Sequence, residues 1–252
     1  MKVATWNVNS LNARWPRVHE WLNLYQPDVV LVQETKQTDE KFPFAALAAL
    51  GYDAAHHGQG QWNGVAILSR TELTDVQRGL GDDVEARFIA ATSRGLRLHS
   101  CYVPNGRALD DPHYAYKLRW LEALRVLLAE RDRAQPLIVG GDFNVALSDL
   151  DVYDPTAFVG ATHVSEPERA ALRALLATDL VDLVRQRNLD EPEFTWWDYR
   201  HGSFRRGWGL RIDYLLADAV TASRVRDVHV DREARKGEKP SDHAPVVADL
   251  DW

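Results

Sequence analysis

Short apolar runs alternate along the whole chain with stretches in which hydrophobic residues recur every three or four positions. Such alternation of strand-like and helix-like segments predicts an α/β fold rather than a sandwich of hairpins alone. Lys2 to Trp6 reads as a strand, and Val18, Trp21, Leu22 and Tyr25 fall at helical spacing. Val29 to Val32 form a continuous apolar run suited to a buried strand that stops at Gln33 and Glu34. Further strands are predicted at Gly64 to Ser69, Arg87 to Thr92, Leu96 to Val103, Leu137 to Gly140, Ile212 to Leu216, Val225 to Val230 and Pro245 to Leu250. Helices are predicted from about Tyr114 to Arg131 and from Pro167 to Ala177. KVATWNVN and LIVGGDFN echo one another, each an apolar strand delivering an asparagine, which points to two halves packed as a pseudo-symmetric pair of sheets.

The chemically useful polar residues stand where these strands stop: Asn7, Glu34, Asp142 with Asn144, Asp213, and the Asp242 and His243 pair. Chain reversals just past strand ends let rigid elements aim side chains into one crevice. With 252 residues and 45% hydrophobic content the chain suffices for one large domain, the expectation here for residues 1–252. Thirty Lys and Arg against 37 Asp and Glu give a net charge of −7, which argues against holding nucleic acid by bulk charge while leaving room for local basic patches. The lone Cys101 permits no internal disulfide and MKVATWNVNS lacks an apolar secretory core, so a reducing cytoplasm is expected. No apolar run approaches the roughly 20 residues of a membrane span.

Five strings carry the chemistry: WNVNSLNAR, QETK, YVPNG, GDFN and SDH. Together they supply oxygen ligands, a phenol, a carboxylate placed as a base and an imidazole, a set suited to hydrolysing a phosphate ester. Carboxylate, amide and water oxygens suit Mg²⁺ or Mn²⁺, whereas zinc or copper would want Cys or clustered His. Glu34 is the first choice as metal ligand, with a plain ion pair to Lys36 as the alternative. Asp142 would orient or deprotonate the attacking water and Asn144 would donate to a phosphoryl oxygen, although Asp and Asn also build ordinary turns. Asp213 would fix the tautomer of His243 and stabilise its cation, and Asp242 would help hold the metal or the water. The Tyr102 hydroxyl is placed to reach a phosphate, with a core aromatic as its other reading. His56, His57 and His99 read as loop or strand residues. FTWWDYRHGSFRRGWGLRIDY interleaves aromatics with arginines, as a base or sugar platform or as core filling, and DREARKGEK reads as a solvated loop.

Taken in order, and together with GLRIDYLL and FTWWDYR, the five strings resemble the exonuclease III family of DNA repair enzymes, within the endonuclease/exonuclease/phosphatase superfamily that includes DNase I. The resemblance covers essentially the whole chain. It implies a four-layer α/β sandwich of two central, mostly antiparallel sheets flanked by helices. It also implies Mg²⁺- or Mn²⁺-dependent cleavage of duplex DNA on the 5′ side of abasic sites, trimming of 3′ ends, and a monomer. By motif, Asn7, Glu34 and Asp242 fall on the metal side. Tyr102, Asp142, Asn144, Asp213 and His243 take the catalytic and phosphate-binding roles. Trp196, Leu210 and Ile212 look like the apolar pocket for a base-free deoxyribose, and Arg107 like a contact to the DNA backbone. Aligning EPER puts His163 where several abasic endonucleases carry a small residue, which implies a narrowed pocket and a shift toward 3′ termini unless this is a surface-loop histidine. The rival functions are a superfamily phosphoesterase acting on a small substrate and a non-catalytic DNA-end binder.

Overall fold

The computed structural model describes all residues, Met1–Trp252. Twelve strands form two six-stranded sheets. The first contains β1 (Lys2–Asn7), β2 (Val29–Gln33), β3 (Asp53–His57), β4 (Val65–Ser69), β11 (Val225–Val230) and β12 (Val246–Leu250), in the order β11-β12-β1-β2-β4-β3. The second contains β5 (Thr74–Arg78), β6 (Phe88–Ser93), β7 (Leu96–Tyr102), β8 (Leu137–Asp142), β9 (Leu180–Asp182) and β10 (Asp213–Asp218), in the order β5-β6-β7-β8-β10-β9. Each sheet has one parallel pair at its centre, β1 with β2 and β7 with β8, and is otherwise antiparallel. The two strands that echo each other in sequence, β1 and β8, hold matching central positions.

Central strands are buried on both faces, so their residues point alternately into two different cores. Val3, Leu31, Ile67, Ile89, Leu98, Ile138, Leu215 and Val246 meet between the sheets. The other face of the second sheet packs on Trp120, Leu121, Leu124 and Leu128 of helix Pro112–Ala129 and on Leu172 and Leu175 of helix Glu166–Leu176. Ala4, Trp6, Val30 and Val32 pack on Val18, Trp21 and Leu22 of helix Leu11–Tyr25. The layers therefore run helix, sheet, sheet, helix.

Two adjacent glycines let β8 occupy its crowded place. A Cβ on Gly140 would come within 2.6 Å of Leu31 from the opposite sheet, and one on Gly141 within 1.9 Å of the Cys101 carbonyl on the neighbouring strand. Only glycine allows such approach. β8 thereby carries Asp142 to the edge of the inter-sheet seam.

β3, β5 and β9 were not predicted. β5 is exposed at all five positions and β9 has three residues, so neither carries an apolar signal. DREARKGEK also departs from its solvated reading, because Arg235 is 6% exposed, donates to the Ser241 carbonyl and lies over Phe204.

Candidate active site

Sheet register assembles half of the site. Asp142 at the end of β8 sits beside Tyr102 on parallel β7 and beside Asp213 on antiparallel β10. The facing sheet supplies Asn7 at the end of β1, Glu34 just past β2, and His243 just before β12. Glu34 and Asn144 both adopt left-handed backbone, φ 54° and 52°. That conformation is uncommon for a glutamate and is the kind of local strain that clusters at functional sites.

Glu34, Asp142 and His243 each offer one ligand atom, all within 4.8 Å of one another. The Asn7 amide nitrogen bridges the two acids, 2.8 Å from Glu34 Oε1 and 2.9 Å from Asp142 Oδ2. Asn7 Oδ1 accepts from the Asn9 backbone N–H, so the amide presents nitrogen rather than a ligand oxygen to the carboxylates. Glu34 is also ion-paired with Lys36 at 2.8 Å, so the plain ion pair exists alongside the site role.

His243 Nδ1 lies 2.9 Å from Asp213 Oδ2, and because an ionised carboxylate only accepts, Nδ1 carries the proton. Its Nε2 is 3.8 Å from Asp142 Oδ2. Burial disfavours the His243 cation, but Asp213 and then Asp142 outweigh it and hold the imidazolium up to about 10. Burial pushes Asp142 up to about 7, with Asp213 and Glu34 adding to the rise against the pull of His243. Burial, then Glu34 and Asp142, drives the Tyr102 phenol well above its ordinary value, so it stays an O–H donor. Three carboxylates facing one imidazolium leave excess negative charge. A divalent cation would neutralise that charge, and a donor set of carboxylate oxygens without Cys or paired His suits a hard ion. A charged His243 is a proton donor and anion binder, not a metal ligand.

Asp242 lies outside this trio, correcting its expected place at the metal. Its two oxygens accept from Asn9 Nδ2 and Trp196 Nε1, so it fastens the Trp196 loop to the β1 loop. Leu210 and Ile212 are likewise not pocket walls in this structure. At 1% and 3% exposed they form a closed cluster with Ala146 and Val152, and of the expected sugar trio only half-buried Trp196 reaches the surface. Arg107 stands exposed at the rim, 4.0 Å from Asp111.

Asn144 is oriented by three bonds. Its N–H donates to Asp142 Oδ1 at 2.9 Å, its Nδ2 donates to the Val103 carbonyl at 3.0 Å, and its Oδ1 accepts from Asn105 Nδ2 at 3.2 Å. His163 is not a free surface histidine. Its Nδ1 donates to the Asn144 carbonyl at 2.6 Å, and its Nε2 is 3.5 Å from Asn105 Nδ2. Burial first, then the Lys117 charge, pulls it down to about 4, so it is neutral at pH 7.

Several supporting residues escaped the sequence reading. The Trp6 indole donates to the His243 carbonyl at 3.1 Å, and Ser241 Oγ donates to the Asn7 carbonyl at 2.7 Å. The Thr195 hydroxyl accepts from the Ile212 and Asp213 amides, both at 3.1 Å. The Arg87 guanidinium lies 4.8 Å over the Tyr102 ring. Nothing local marks these partners, except that Asn105 and Ser241 lie inside the YVPNG and SDH strings.

Residues 4–243 match the model of the endonuclease/exonuclease/phosphatase family. The chain is 35% identical to exodeoxyribonuclease III of Haemophilus influenzae, an alignment covering 99% of this chain and all of that protein. Among solved structures it superposes on the 3′-5′ exonuclease NExo of Neisseria meningitidis with a TM-score of 0.97 at 44% identity, and on an AP endonuclease of Archaeoglobus fulgidus with 0.97 at 38%, each covering both chains fully. NExo has also been seen as a 3′ phosphatase bound to a product DNA hairpin, and that form superposes with a TM-score of 0.98 at 43% identity over both full chains. Sheet topology, converging acids and full-length similarity agree, and the chain belongs to the endonuclease/exonuclease/phosphatase family.

Proposed function

We propose that this protein is a Mg²⁺- or Mn²⁺-dependent DNA phosphoesterase of base-excision repair that acts on duplex DNA and favours 3′ termini over internal abasic sites. The observation that carries the hydrolytic reading is the juxtaposition of Glu34, Asp142 and His243, with Asp213 behind the imidazole. Asp142, with its raised proton affinity, accepts the proton of the attacking water. The His243 cation binds a phosphoryl oxygen through Nε2 and stands ready to supply a proton to the departing oxygen. Asn144 has one amide N–H left after bonding Val103, and it points the same chemistry at a phosphoryl oxygen. The neutral Tyr102 hydroxyl donates to a phosphate oxygen or to Glu34. Both N–H groups of Asn7 are taken by Glu34 and Asp142, so it sets their separation rather than touching substrate. Held at Glu34, the divalent ion would offset phosphoryl charge and ease departure of the leaving oxygen.

The preference for 3′ termini rests on His163 seated against Asn105 and Asn144 and on the closed cluster beneath Trp196, which together leave little room for a flipped sugar within a continuous strand. A terminal phosphate or nucleotide needs no such room. No helix is long and apolar enough to cross a membrane, and we infer a monomer acting in the cytoplasm, where buried Cys101 stays reduced. Three matched duplexes test the reading, with an internal abasic site, a 3′-phosphate and a recessed 3′-hydroxyl. The parent should process both termini faster than the internal site. His163→Gly should raise internal incision about tenfold, equivalent to ~1.4 kcal/mol of relieved conflict in the transition state. Equal internal and terminal rates in the parent, unmoved by the substitution, would remove the terminal preference.

A further inference from the structure

Lys117 and Glu168 form an ion pair 2.5 Å apart with both side chains fully buried. Neither belongs to the catalytic strings. Lys117 comes from helix Pro112–Ala129 and Glu168 from helix Glu166–Leu176, yet their remaining hydrogen bonds all end on loops of the site. The Lys117 ammonium donates to Glu168 Oε1, to the Asn144 carbonyl at 2.6 Å and to the Asn105 carbonyl at 3.2 Å, which uses its three protons. Glu168 Oε1 also accepts from the Thr162 hydroxyl at 2.7 Å and the His163 N–H at 3.0 Å, while Oε2 accepts from the Ser165 N–H and hydroxyl.

A buried ion pair is a poor way to gain stability, because removing two charges from water costs as much as their attraction returns, and apolar replacements are often neutral or better. What an ammonium supplies here is direction: three donors at fixed angles, each aimed at a backbone or carboxylate oxygen. We propose that Lys117 and Glu168 are positioning residues of the phosphate site, tying the loops of Asn105, Asn144 and His163 to one buried point. The Asn144 carbonyl accepts from both Lys117 and His163, so the left-handed backbone that aims its side chain is held from behind. Packing around the strut is tight, since a Cβ on Gly106 would come within 2.7 Å of the Thr162 hydroxyl and 3.2 Å of Lys117 Cδ. The portion concerning His163 rests on the 3′-terminal reading above, and the portion concerning Asn105 and Asn144 does not.

The decisive variant is Lys117→Met combined with Glu168→Gln, which removes both charges together and keeps an amide oxygen for Thr162 and the His163 N–H. On whichever of the three duplexes the parent turns over fastest, kcat should fall roughly tenfold or more with KM moving less than about threefold, because misplacing an oriented group costs the transition state more than binding. A pair with only a structural role would lower the melting temperature and leave kcat of the folded enzyme alone. Parent-like kcat in the folded double variant therefore overturns the proposal. Should that variant not fold, Thr162→Val takes its place, keeping shape while deleting one bond to Glu168. A several-fold loss of kcat with a near-parent melting temperature supports the strut, and unchanged kcat overturns it. His163→Gly run in parallel separates the two claims: an unmoved ratio of internal to terminal cleavage defeats the 3′-terminal reading, while kcat of the strut variants still judges the strut.

Discussion

Asp142 and His163 belong to one hydrogen-bonded neighbourhood, joined through Asn144, yet the chain delivers them in opposite ways. Asp142 ends a central strand whose register against Tyr102 and Asp213 is set by ladders of backbone bonds on both sides. His163 lies in the loop ahead of helix Glu166–Leu176, with φ 77°, and its place depends on side chains: the Asn144 carbonyl, Glu168 and, through them, Lys117. The floor is thus fixed by the sheets and the rim by loops. The difference teaches where to look for chemistry and where for selectivity. A substitution on the floor should depress turnover on every substrate alike, and one on the rim should change which substrate is preferred.

The largest effect should come from Asp142→Asn, which removes the proton acceptor and should lower kcat by about 10²-fold or more on all three duplexes. Because burial raises the Asp142 carboxyl to about 7, above its ordinary 3.8, its ionisation opposes folding at neutral pH. The melting temperature of the metal-free variant should therefore hold or rise. A loss confined to one duplex would break the contrast between floor and rim. Next in size, Glu34→Gln keeps an oxygen for the Asn7 amide but loses the charge facing the ion. The Mg²⁺ concentration for half-maximal rate should rise roughly tenfold or more, since even supporting ligands carry that much affinity. Chelation of divalent ions should abolish turnover of the parent, and a parent-like Mg²⁺ titration in the variant would remove Glu34 from the metal. His163→Gly then sharpens the comparison, because it should move the ratio of internal to terminal cleavage with little change at the 3′-phosphate.

The floor was readable in sequence because strand ends advertise themselves: an apolar run stopping at Glu34, or at GGD, carries its own register. The same pattern foretold the alternation of strands and helices and the echo between β1 and β8. β5 failed to show because an exposed edge strand has no buried face to impose alternation. Within the site, Asp242 was misplaced for a similar reason. Adjacency to His243 said nothing about which way the carboxylate turns, and the Trp196 and Asn9 side chains claim it. Leu210 and Ile212 were identified by motif, but exposure is a tertiary property, and the bridges from Leu210 to Val152 and Trp196 bury them. Lys117 was invisible because nothing in a helical YAYKLRW distinguishes a solvated lysine from one whose partner lies 51 residues away.

The smallest effect concerns a residue belonging to neither region. His99 packs edge-on against Phe88, ring centroids 5.1 Å apart, with Nδ1 unbonded. Burial first, then Arg97 and Arg131, pulls it from 6.5 down to about 3, and burial pulls His56 and His163 down to about 4. As pH falls below 6.5 the unfolded chain takes up these protons while the folded chain does not, so stability drops with falling pH at about 1.4 kcal/mol per unit for each such histidine. His243 acts in the opposite sense, its contribution complete below 6.5 and lost as pH climbs toward 10. His99→Phe keeps the aromatic packing and should remove one proton's worth of slope from the unfolding free energy between about pH 6 and 5, measured by denaturant titration. Its kcat at neutral pH and its substrate ratio should match the parent. His163→Gly should lose the same slope yet shift the ratio, so the pair separates acid sensitivity, which belongs to any buried neutral histidine, from selectivity, which belongs to the rim alone. An unchanged slope for His99→Phe would mean that the folded protein already admits a proton at this ring.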